Sequence, residues 1–103
     1  MAKYLFVYYG GKMETDPKMA EKSMAAWNKW FGGLGKAVVD GGSPTLPGKI
    51  VAASGVKNVT AKPVTGYSIL QANNLDAAVA VAKTCPIISD GGQVAVYELL
   101  PVM

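Results

Sequence analysis

Near the start of the chain, Lys3-Tyr-Leu-Phe-Val-Tyr-Tyr9 places large apolar side chains on both sides of one segment. Its aromatic and β-branched content makes it a strand, and Gly10-Gly11 ends it. Successive residues of a strand point to opposite faces. Tyr4, Phe6 and Tyr8 therefore share one face, and Leu5, Val7 and Tyr9 share the other. A sheet built on this strand needs cover on both sides. The last strand, around Gln93–Leu99, repeats the demand, with Val94 and Val96 opposing Ala95, Tyr97 and Leu99. One layer of helices covers only one face, and an open apolar face is an association surface. Packing sheet against sheet in a homodimer satisfies both faces, and two-fold pairing is the commonest closed symmetry. Phe6 and Val96 are the positions expected at that interface.

The remaining elements follow in order. Asp16-Pro17 is a helix start: Asp caps free amides, and proline at the first position gives up no needed donor. Ala20, Met24, Trp27, Trp30/Phe31 and Leu34 then recur at helical spacing until the Gly32-Gly-Leu-Gly35 stop. Ala37–Val39 reads as a second strand, and Asp40-Gly-Gly-Ser43-Pro44 as a turn. Lys49–Ala53 is expected to continue the sheet, with Ser54–Thr65 as hairpin and loop. Tyr67–Ala72 is a third strand, Asn74 caps a helix over Leu75–Thr84, and Pro86 ends it. The order is βαββαβ, so the expected class is α+β and ferredoxin-like, one domain over residues 1–103.

Composition removes several kinds of chemistry. The chain has no histidine, which excludes a Ser-His-Asp triad, a Cys-His dyad, a histidine base and a His-ligated metal. With one cysteine, Cys85, neither an internal disulfide nor a thiolate zinc site can form, so no metal or cofactor is expected. All ten cations are lysine, scattered rather than clustered, and arginine is the usual reader of phosphates and bases. An aromatic sheet can stack RNA, but the recognition motif requires K/R-G-F/Y-G/A-F-V-x-F/Y on the third strand. Thr65-Gly-Tyr-Ser-Ile-Leu-Gln-Ala72 keeps only the glycine and first aromatic, so no nucleic-acid partner is expected. The longest apolar run, Tyr4–Tyr9, is far short of the roughly 20 residues of a membrane span, so no membrane association is expected either. With no signal-peptide pattern and a single cysteine, the expected location is cytoplasmic.

A family resemblance rests on four stretches. They are Lys3-Tyr-Leu-Phe-Val-Tyr8; the helix carrying Met24, Trp27, Trp30 and Phe31; Gly35-Lys-Ala-Val-Val-Asp40-Gly-Gly-Ser-Pro44; and Asn74–Pro86 followed by Gly91-Gly-Gln-Val-Ala-Val96. Together they resemble the YCII-related proteins of the DGPF-domain branch over nearly the whole chain. The resemblance implies a dimeric α+β barrel and a cofactor-free site for a small organic molecule. One lineage of that family is a dehydrochlorinase of a chlorinated hydroquinone. Two positions depart from the pattern. The namesake Asp-Gly-Pro-Phe would fall near Thr60–Val64, where the acid's place is taken by Ala61, and the first-helix histidine's place is taken by Met24.

The candidate site residues surround the end of the second strand. Asp40 is the candidate catalytic carboxylate, to orient or deprotonate a ligand; its other reading is a turn residue bonding its own backbone. Trp27 and Tyr67 are candidate aromatic walls, and Tyr8 and Ser43 candidate hydroxyls at the pocket mouth. The reading is binding or transformation of a small organic molecule between sheet and helices. The alternative is a non-catalytic dimeric interaction module.

Overall fold

Alternation along the first strand decides which way everything else packs. In the computed structural model, which describes residues 1–11 and 16–101, β1 spans Ala2–Tyr9, with Tyr4, Phe6 and Tyr8 buried and Leu5, Val7 and Tyr9 half-buried. Helix α1 follows over Pro17–Leu34, then a 3₁₀ turn over Gly35–Ala37 and β2 over Val38–Asp40. A separate hairpin comes next, β3 over Lys49–Ala52 and β4 over Gly55–Asn58. The chain returns through β5 (Val64–Ala72), α2 (Leu75–Ala82), α3 (Pro86–Ser89) and β6 (Gln93–Glu98).

The main sheet is antiparallel in the order β2-β5-β1-β6. That is the ferredoxin-like order, with both βα units crossing one face. Phe6 pairs with Ser68 and Val96, and Val7 with Tyr67 and Ala95. The core lies on the Phe6 side, where Leu70, Ala78, Ala82, Cys85 and Ile87 join the three β1 aromatics. The opposite face carries Leu5, Val7, Ile69, Ala95 and Tyr97, and among the described residues the helices pack on the other side.

Helix caps explain the boundaries. Asp16 Oδ1 accepts from Lys18 N at 2.9 Å with Pro17 first in the helix, and Gly35 closes α1 at φ 54°. Asn74 Oδ1 accepts from Ala77 N at 2.8 Å to start α2. Trp30 Nε1 donates to Thr84 Oγ1 at 2.8 Å and ties α1 to the end of α2.

Three expectations need correcting. Lys49–Ala52 does not continue the sheet: among the described residues it pairs only with β4, closing a two-residue Ala53-Ser54 turn. Pro86 ends α2 but also opens a further short helix, α3, because proline is favoured at a first helical position. Phe6 and Val96 are not interface positions. Phe6 is fully buried beneath the helices and Val96 packs against the same core. Among the described residues, no helix is long and apolar enough to cross a membrane.

Candidate functional site

Helix α1 is eighteen residues long and buries none of them completely. It rests on the sheet through bulky rings rather than by close backbone approach. Trp27 meets Tyr8 edge-on at 5.0 Å between centroids, and Phe31 lies 5.9 Å from Trp27 and 5.0 Å from Trp30. Rings of this size hold the helix off the sheet and leave a cavity of about 400 Å³ between them, within the range of small-molecule sites.

Each side of the cavity has its own element. The helix supplies Ser23, Met24, Trp27, Asn28 and Phe31. The sheet floor is Tyr8, Gly66 and Ser68, where a bulge between Tyr8 and Tyr9 breaks the β1–β5 register. Bulges commonly re-aim side chains beside functional sites. The loop Gly41–Pro44 forms a third wall and Ile87 with Asp90 a fourth. That loop is pinned to β5, with Tyr67 N donating to Ser43 O at 3.3 Å and Thr45 N to Thr65 O at 3.0 Å. Gly42, at φ 73°, lies so close to β5 that a Cβ there would collide with the Tyr67 carbonyl. Only glycine fits a left-handed residue in that space.

The hydroxyls on the floor form a chain with a fixed direction. Ser68 Oγ lies 2.7 Å from Gly41 O, and a carbonyl only accepts, so the serine proton is committed there. Tyr8 Oη, 2.9 Å from Ser68 Oγ, must then donate to the serine. The tyrosine oxygen is left with acceptor capacity and no proton to give. Burial pushes the Tyr8 phenol well above its ordinary range, the Ser68 hydrogen bond offsetting only part of this. It stays neutral.

Trp27, Tyr8 and Ser43, all expected at the site, line this one cavity. Tyr67 borders it too, but strand alternation sets it on the face of Val7 rather than that of Ser68, and it is exposed. The second aromatic wall is Phe31 instead. Asp40 does not line the cavity. It is exposed, and its Oδ1 accepts from Gly42 N at 2.8 Å. That is the short side-chain turn favoured by aspartate two residues before an amide, and it shapes the loop rather than facing a ligand. Among the described residues, the carboxylate on the cavity wall is Asp90, half-buried at the end of α3. No sequence signal singled it out, because its placement depends on α3. Cys85 is buried, and its thiol is pushed up to about 11 by burial, with the nearby Asp90 charge adding to it. A thiol so protonated is no nucleophile. Among the described residues, no group of three or more His, Cys, Asp or Glu is placed to hold a metal.

No protein-family model matches the chain, and no curated protein matches it in sequence. Among solved structures it is similar to 5-chloro-2-hydroxyhydroquinone dehydrochlorinase (TftG) from Burkholderia phenoliruptrix AC1100, determined in complex with 2,5-dihydroxybenzoquinone. The TM-score is 0.56 with 16% sequence identity, over 93% of each chain. At that identity the likeness is one of fold.

Proposed function

We propose that this protein binds a small, flat, neutral organic molecule in the cavity beneath α1, as a YCII-related protein working without metal, histidine or cofactor. The observation that carries this is the cavity itself. Trp27 and Phe31 offer aromatic faces, and the floor offers a phenol whose proton is already committed. Flat rings gain from burial and stacking there. A hydroxyl on the ligand donates to Tyr8 Oη, and Ser43 stands at the rim. The cavity wall shows no lysine among the described residues, which argues against phosphate or carboxylate ligands. The complex of the dehydrochlorinase with a dihydroxybenzoquinone supports a flat, oxygen-bearing ring as ligand on the same fold. If the molecule is also transformed, proton transfer falls to Asp90 rather than Asp40. The open face of Leu5, Val7, Ile69 and Tyr97 supports a sheet-to-sheet homodimer, the assembly that would close a dimeric α+β barrel.

Calorimetric titration with hydroquinone, a flat ring that is neutral at pH 7, tests the ligand reading. One site per chain is expected, weakened by about ten- to a hundredfold in Trp27→Ala, which forfeits about 1.5–3 kcal/mol of apolar burial. Asp40→Asn should leave the affinity unchanged. An aromatic probe that does not bind, or that binds Trp27→Ala equally well, sinks the reading and leaves the non-catalytic dimeric module.

A further inference from the structure

Ser68 is out of character for its place. It lies mid-strand on β5, paired with Phe6 and wholly buried. Tyrosines apart, it is the one buried polar side chain among the described residues. Serine is mostly an exposed residue, and a polar group in such a position calls for a reason. We propose that Ser68 fixes the hydrogen-bonding polarity of the cavity floor, so that the site takes rings bearing a free hydroxyl and refuses rings whose oxygens only accept. The inference rests on the binding reading proposed above and narrows its ligand class. Ser68 is a positioning residue in this, acting through Tyr8.

The strand register sets the pair up. Tyr8 stands opposite Gly66, and Ser68 lies two residues further along β5 on the same face. Gly66 puts no side chain in the way: a Cβ built there would stand 3.4 Å from Tyr8 Cδ2. The ring therefore lies against the glycine, and Tyr8 Oη reaches Ser68 Oγ at 2.9 Å. Diagonal contacts of this kind are within reach of aromatic side chains. Ser68 Oγ gives its own proton to Gly41 O at 2.7 Å. Ser68 and Gly41 line the cavity together with Tyr8, which sets the hydroxyl end of the phenol in the floor.

A third hydroxyl behaves the same way. Thr65 Oγ1, also on the cavity wall, donates to Tyr8 O at 3.2 Å. Tyr8, Thr65 and Ser68 thus all turn their protons toward the protein and keep acceptor capacity alone. Burial raises the Tyr8 phenol well above its ordinary range, so its proton stays in place at neutral pH. The Asp90 carboxylate, on another wall, adds two more acceptor oxygens. Ser23 and Asn28 on the helix and Ser43 at the rim can each donate or accept, so the choice between guests is made at the floor. A hydroxyl completes the floor's hydrogen bonds. An acceptor-only ring sets oxygen against oxygen and leaves buried lone pairs unpaired, which is how sites built for a hydroxyl reject analogues that lack it.

Calorimetric titration of the parent, Ser68→Ala and Tyr8→Phe with hydroquinone and with its dimethyl ether tests this. The parent is expected to prefer hydroquinone by about tenfold or more. In Ser68→Ala the tyrosine proton is freed for the cavity, so the ether should gain affinity and the preference fall to about threefold or less. In Tyr8→Phe the ether should keep its affinity while hydroquinone loses about tenfold. A serine that merely ties the Gly41 loop to the sheet would, on removal, weaken both probes alike and leave the preference unchanged, which overturns the proposal. A preference that survives in both variants comes from the size of the ether and overturns it too. Should Ser68→Ala not fold, Ser68→Cys, whose sulfur is a poor acceptor, takes its place with the same expected loss of preference. If the parent binds both probes equally, the polarity of the floor falls and the binding reading stands. If it binds neither, both fall.

Discussion

Val7→Asp is expected to yield a folded monomer. Val7 sits mid-strand on β1, half-buried on the face away from the helices and flanked by Tyr67 and Ala95 on the neighbouring strands. In a single chain the new carboxylate points into water and costs the fold little. Between two packed sheets it would lose its hydration with no cation to pair with, at about 3 kcal/mol or more. In the proposed dimer each copy would bury such a charge, so the dissociation constant should rise by about a thousandfold or more. Light scattering should read a mass near 10.7 kDa with an unchanged far-ultraviolet spectrum. A mass that stays at about twice that value would move the interface elsewhere.

Phe6→Ala, one residue away, has the opposite consequence. Phe6 is fully buried and packs within the single core cluster between sheet and helices. Truncating a buried phenylalanine costs about 3–5 kcal/mol, combining lost transfer energy with the cavity left behind. Small domains hold only about 5–15 kcal/mol in all. At about 4–8 °C per kcal/mol for a domain near this length, the melting temperature should fall by about 12–40 °C. Thermal unfolding by calorimetry measures it. A loss under about 1 kcal/mol would mean that the helices do not pack on this side of β1. Adjacent residues of one strand thus separate assembly from folding.

Much of this arrangement was legible in the residues, and the parts that were not share a cause. The Asp16-Pro17 start, the Gly35 stop and the Asn74 cap are local: each is a side chain or a backbone angle meeting amides a few positions away. The alternation of β1 divides its residues correctly into two sets. It cannot say which set faces the helices, since both are apolar, so Phe6 and Val96 look as fit for an interface as for the core that they join. Lys49–Ala52 shows the same gap. Strand propensity reports a fit to a pleated surface, not the identity of the neighbouring strand. Trp27, Tyr8 and Ser43 could be gathered from the order of elements alone. Asp40 was drawn toward the cavity by its place at the end of β2, where the amide of Gly42 claims its carboxylate instead. Phe31 and Asp90 become visible only when the tilt of α1 and the existence of α3 are known.

The way α1 sits on its rings also bears on time. A helix with no completely buried residue opens at a lower free energy than the β1–β5 ladder beneath it, whose side chains make up the core. The roof of the cavity therefore opens before its floor, where the hydroxyls stay in register. A guest of the proposed kind would therefore find a firm floor and a yielding roof. Bridging roof to floor, it would lower the fraction of time that α1 spends raised and so slow its own departure. Residence of such a guest would then follow how often one helix rises.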